Sequence, residues 1–278
     1  MAAKTTDRAS AFGEVVGPAT AVPAVFLGGP PGIPTPFTPL VGALGSRLRF
    51  YRWIYRQVAS GAALGPEEHA AEVISAVDGA GLPPVVLVAW DLGAQVALEV
   101  YRARPERVRA LVVLNGVHGA TYRPAARMYA ISTAALRGLA NVRRAVGDER
   151  LAPYVGDEAA WPRVLKLLRV VARPTDDGTV THLARAVVDA DAESLASFAR
   201  PFSRHTVTDL LAHVACPTLL ITGERDRLSP PHVGTLVARE IPGAETFVVR
   251  DGTHVVTHEY PETVGLRVEK FLRERGIS

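Results

Sequence analysis

The stretch from Pro84 to Pro105 limits what this chain can fold into more than any other. PVVLVAW (84–90) is apolar without interruption, the mark of a strand covered on both faces. It passes without a loop into DLGAQVALEVYRARP, an amphipathic helix stopped at Pro105. A buried strand can reverse so sharply into a helix only if the residues beside the turn are small. Ala89 lies two before Asp91 and Gly93 two after it. Asp91 therefore occupies the tip, and aspartate tolerates left-handed backbone angles better than most residues. Taken alone, Asp91 fits a helix N-cap better than a reactive group.

Similar elements flank this unit. PAVFL (23–27) is a short buried strand ended by Gly28-Gly29-Pro30-Pro31-Gly32, and RLRFYRWIY (47–55) is an aromatic-rich strand. PEEHAAEVISAVDGAG (66–81) reads as a helix, with Pro66 at its start, acids in its first turn and Gly79 and Gly81 near its stop. RVRALVVLNG (107–116) is another buried strand. The alternation then pauses. Residues 120–210 hold helical stretches such as WPRVLKLLRVVA and LARAVVDADAESLASFA and no strand pattern. It resumes with CPTLLITG (216–223), PHVGTLVAREI, ETFVVRDG (245–252) and PETVGLRVEKFLRERG.

The expected fold is α/β: a mostly parallel sheet flanked by helices, formed from 1–119 and 211–278, with a helical cap inserted at 120–210. Residues 1–20 read as a loose lead-in, too short and too interrupted by Pro and Gly for a full N-terminal hairpin. That predicts a reduced sheet.

Composition excludes several function classes. At 278 residues with 48% hydrophobic and 21% charged, the chain can bury a large core, and disorder is not expected over most of its length. Its single cysteine, Cys216, excludes an intramolecular disulfide and a Cys-based zinc site. His254 and His258 are the one histidine pair at helical metal spacing, and no carboxylate completes them, so neither a metal nor a cofactor is expected. The net charge of +3 comes from arginines scattered among carboxylates, with Arg143–Arg144 the densest spot. That argues for a solvated surface rather than nucleic-acid binding. No apolar run reaches the ~18–20 residues of a membrane span. MAAKTTDRASAFGE lacks a signal-peptide apolar stretch, so the expected location is cytoplasmic and the expected partner a small-molecule substrate. The oligomeric state is left open.

From about Pro23 to the C-terminus, the chain resembles the α/β-hydrolase fold family. The resemblance rests on the GGPPG turn, the elbow VAWDLGAQVALEVYRARPERVRALVVLNG, the late CPTLLITGERDRLSP and GTHVVTHEYPE. It places Asp91 at the nucleophile position, the acid on Asp226 and the histidine on His254, in the family's chain order. His258 is a rival, four residues on and beside Glu259, where solvation is expected. The resemblance also implies that the oxyanion hole and pocket are lined by Gly29, Pro30, Leu92 and Trp90.

Three departures qualify the likeness. Aspartate-nucleophile members, the dehalogenases and epoxide hydrolases, commonly read D-W or D-R where this chain has Asp91-Leu92. The H-G-x-P turn is Gly28-Gly29-Pro30-Pro31, and Pro30 at the x position has no N–H to donate. RWIYRQVASG resembles a segment of serine-type relatives, with Ile54 and Gln57 in place of Asp and Gly. The chain thus looks like a serine-type lineage in which Asp replaced Ser.

An elbow carboxylate suits displacement at saturated carbon, giving an alkyl ester that water then cleaves. The resemblance therefore implies a cofactor-independent hydrolase with an Asp-His-Asp triad, acting on a small, largely apolar epoxide, halide or lactone. Tyr122, Tyr129 and Tyr154 in the cap are candidate acids. Two other readings remain open: a different reaction with Asp91 or His254 as general base, and a catalytically inactive ligand-binding protein.

Overall fold

The computed structural model describes residues 12–55, 63–116 and 158–277. Its framework is a seven-stranded sheet in the order β1-β3-β2-β4-β5-β6-β7. The strands are β1 (Glu14–Val16), β2 (Val22–Leu27), β3 (Leu48–Arg52), β4 (Val85–Trp90), β5 (Val108–Leu114), β6 (Thr218–Gly223) and β7 (Glu245–Val249). Every neighbouring pair is parallel except β1 with β3. The continuous apolar runs become the central strands because helices cover both faces of the sheet.

Alternate residues of β4 feed two separate cores. Leu87 and Ala89 face helices α2 (Pro66–Gly79) and α3 (Gly93–Ala103), while Val86, Val88 and Trp90 face α1 (Phe37–Leu44) and the C-terminal helix Pro261–Glu274. The register brings Leu27 beside Ala89 and Trp90 beside Leu114. The turn after β2, the elbow after β4 and the end of β5 therefore meet at the C-terminal edge of the sheet, where open α/β sheets bind ligands.

Two local expectations are corrected. The lead-in contains β1, which pairs antiparallel with β3, and Phe12 packs edge-on to Tyr51 with ring centroids 5.2 Å apart. Its three residues are held by backbone pairing to β3 and carry no periodicity of their own. The long helical stretch near 183–199 is two helices, Asp177–Asp189 and Ala192–Phe202. Ala190 leaves helical angles with ψ 134, and the Asp191 carboxylate then caps the second helix by accepting from the Ser194 N–H.

Among the described residues 158–211 there is helix and no strand. The first part of the expected cap lies outside the described residues, and Tyr122, Tyr129 and Tyr154 lie there with it. Among the described residues, no helix is long and apolar enough to cross a membrane.

Candidate active site

Asp91 has φ 54, the left-handed backbone demanded by the reversal from β4 to α3. Its N–H bonds the Leu114 carbonyl at 3.2 Å, which fixes the tip to β5. A Cβ on Gly93 would overlap the carbonyl oxygen of Leu27 and lie 2.7 Å from that of Gly28. The small residue after the elbow is thus required by backbone from β2. Leu92 takes the N-cap position of α3, and no side chain caps that helix. The Asp91 carboxylate is therefore not engaged as the cap that its sequence neighbourhood suggested.

The loops after β6 and β7 bring Asp226 and His254 to the same edge. His254 Nδ1 donates to Asp226 Oδ2 at 3.0 Å, and His254 Nε2 lies 3.5 Å from Asp91 Oδ1. Asp226 is buried, and its other oxygen accepts the N–H groups of Leu228 and Ser229, both at 2.8 Å. The imidazole thus lies between two carboxylates, the buried Asp226 and the partly accessible Asp91. Burial alone would depress the His254 pKa. The charges of Asp226 and then Asp91 outweigh it and raise the pKa to about 10.

The turn after β2 closes one side of the site. A Cβ on Gly29 would lie 2.8 Å from Asp91 Oδ2 and 2.8 Å from the Trp90 ring, so this position admits only glycine beside the carboxylate. Pro30 is buried next to it, and its carbonyl receives the Ile33 N–H at 3.3 Å. Leu92 is buried at the start of α3. Trp90 is also buried, with its indole N–H directed to the His254 carbonyl at 3.4 Å and its ring centroid 5.6 Å from the imidazole. It packs under the histidine loop.

Three supporting residues escape a reading of the sequence. Asn115, at the end of β5 with φ 47, donates its amide to Asp226 Oδ2 at 2.7 Å and to the Thr253 carbonyl at 3.2 Å. Tyr55 is buried and gives its hydroxyl to the Gly28 carbonyl at 3.1 Å. Burial and the charge of Asp91 push its phenol well above the ordinary range. Glu259 is buried and accepts from the Thr253 N–H, the Thr253 hydroxyl and the Ala172 N–H. The N-G ending of β5 is a faint local signal for Asn115. The other two have none.

His258 departs from the solvated position expected of it. It is half-buried in the short helix Val256–Glu259, and burial followed by the charge of His182 lowers its pKa to about 4. Elsewhere, Glu67, Glu99 and His205 converge within 4.8 Å. His205 bonds Gln95 and Glu99, both at 2.8 Å, and Arg102 bonds Glu99 at 3.0 Å. That arrangement is an ion-pair network tying α3 to the residues after Ala192–Phe202.

Residues 65–261 match the model of the α/β hydrolase fold family, and the chain belongs to that family. It is 28% identical over 185 residues to a putative carbamate hydrolase RutD of Klebsiella pneumoniae, covering 66% of this chain and 64% of that relative. The match therefore spans somewhat under two thirds of the relative's own length. It is also 28% identical over 194 residues to a pimeloyl-[acyl-carrier protein] methyl ester esterase of Neisseria meningitidis, covering 68% of this chain and 70% of the relative. A thermophilic esterase from Thermogutta terrifontis shares the fold, with TM-score 0.66, 21% identity and coverage of 94% and 92%.

Proposed function

We propose that this α/β-hydrolase family member is a cofactor-independent hydrolase in which Asp91 is the nucleophile, His254 the water-activating base and Asp226 its orienting partner. The substrate is a small, largely apolar epoxide, alkyl halide or lactone, covered by a helical cap spanning 120–210. The observation that carries this reading is the placement of Asp91: a partly accessible carboxylate on a strained tip, not engaged as a helix cap, with His254 Nε2 3.5 Å from one oxygen. Hydrolase relatives support the broad reaction class.

The steps follow from charge. An Asp91 oxygen attacks saturated carbon, forming a C–O bond as the bond to the departing group breaks and its electron pair leaves with that group. Asp91 becomes a neutral ester. His254 then faces one carboxylate instead of two, so its pKa falls from about 10 and its proton leaves with the departing group or to solvent. Nε2 is free to take a proton from water as that water attacks the ester carbonyl. The oxyanion is met by the Leu92 N–H at the start of α3. Collapse breaks the ester C–O bond, His254 gives its proton to the departing product hydroxyl, and the second water proton passes from the Asp91 carboxyl to His254, restoring the carboxylate and the imidazolium.

A second reading has one observation behind it. A proton held between Asp91 and Asp226 makes His254 an acid in the free protein, as a lyase or isomerase using Asp91 as base would require. Intact mass separates the two. Incubating His254→Ala with epoxides, haloalkanes and β-lactones leaves an adduct on Asp91 in the first reading and none in the second.

A further inference from the structure

A cleft of about 290 Å³ opens beside the acid and histidine loops, lined by Arg169, Arg173, Arg225, Asp251, Thr253 and Tyr260, with Val171, Ala172 and Pro174 as apolar wall. Neither Gly29, Trp90, Asp91 nor Leu92 lines it, so it is separate from the elbow. One wall exists because helix Trp161–Leu167 ends in a left-handed Arg169, φ 56, which turns the chain toward the loops.

Among the described residues that line the cleft, the charges do not balance. Arg225 is paired with Asp251. Arg169 and Arg173 are exposed and make no ion pair among the described residues. Glu259 lies nearby, but it is buried, its oxygens accept from Thr253 and Ala172, and burial raises its pKa against those bonds. The Tyr260 hydroxyl makes no hydrogen bond among the described residues. Burial, then Glu259 and Asp251, raise its pKa, so the phenol keeps its proton as a donor. Two guanidinium groups with no ion pair among the described residues, and a phenol, around an apolar wall suit planar or tetrahedral anionic oxygens on a small organic body.

We infer that this cleft is a binding site for a small organic anion, a carboxylate or phosphate monoester, held by Arg169, Arg173 and Tyr260 with its apolar part against Val171 and Pro174. The site does not depend on the role of Asp91. Thr253 and Arg225 are the chain neighbours of His254 and Asp226, so an occupant sits against both loops of the candidate active site.

Calorimetric titration of the full chain with phenyl phosphate, benzoate, inorganic phosphate and uncharged benzyl alcohol tests this. The expected result is saturable binding of at least one organic anion, weakened by added salt, with benzyl alcohol silent. Tighter binding of phenyl phosphate than of benzoate assigns the phosphate chemistry, and the reverse assigns the carboxylate. Arg169→Gln and Arg173→Gln, both exposed changes checked for folding by circular dichroism, each weaken binding by about tenfold. Arg163→Gln, outside the cleft, leaves it unchanged. No titration up to about 10 mM, or equal binding by wild type and both arginine variants, overturns the inference.

Discussion

Thr253 gives both its backbone N–H and its hydroxyl to the carboxylate of Glu259, at 2.7 and 2.6 Å. The same carboxylate accepts the Ala172 N–H at 2.7 Å. Glu259 therefore ties the loop carrying His254 to the segment after helix Trp161–Leu167.

Glu259→Gln keeps the size but turns one acceptor oxygen into a donor facing other donors. With the group buried, a loss of about 1–3 kcal/mol is expected. Urea unfolding measures it, and an unchanged midpoint would show that the three bonds contribute nothing net.

His254 should remain an imidazolium well above neutral pH. Its folded pKa of about 10 lies above the unfolded value near 6.5, so its ion pairs stabilise fully below about pH 6.5 and that contribution is lost as pH rises through about 10. Asp91→Asn removes one of the two charges and moves the titration down. NMR titration of the ring reads both effects, and a ring titrating near 6.5 in wild type would contradict the two-carboxylate account.

Gly93→Ala should be severe, because Gly93 is buried and the new Cβ meets backbone carbonyls of Leu27 and Gly28, which cannot rotate away. A loss of about 1–3 kcal/mol or more is expected on denaturation. Gly79→Ala, where a Cβ meets nothing within 4 Å, is the tolerated comparison.

Asp91→Ser should restore little ester hydrolysis, because Pro30 has no N–H to complete an oxyanion hole. One missing donor corresponds to about 10²–10³ in rate. Adding Pro30→Gly should recover part of that factor in a p-nitrophenyl ester assay. Full esterase activity from Asp91→Ser alone would mean that another donor completes the hole.

The elbow, Asp226 and His254 were readable because each is marked by its neighbours: a buried strand, a turn and small residues within a few positions. Asn115 and Tyr55 are defined by partners 111 and 27 residues away, and Glu259 reaches Ala172 across 87. No local pattern encodes such contacts. The strand β1 escaped because three residues are too few for alternation to register, and their pairing comes from β3. His258 looked solvated beside an acidic residue, but the fold buries that acid and half-buries the histidine. The split at Ala190 turned on Asp191 acting as a cap inside an otherwise continuous helical pattern.

Nucleophilic attack by Asp91 is the central claim, and intact mass spectrometry of His254→Ala after incubation with epoxides, haloalkanes and β-lactones tests it most directly. A stoichiometric mass increase is expected, equal to the alkyl group from a haloalkane and to the whole molecule from an epoxide or β-lactone, mapped to the peptide containing Asp91 and absent in Asp91→Asn/His254→Ala. No accumulation is expected in wild type, where His254 drives hydrolysis. Substrate turnover by wild type with no adduct on Asp91 in the His254 variant would contradict it.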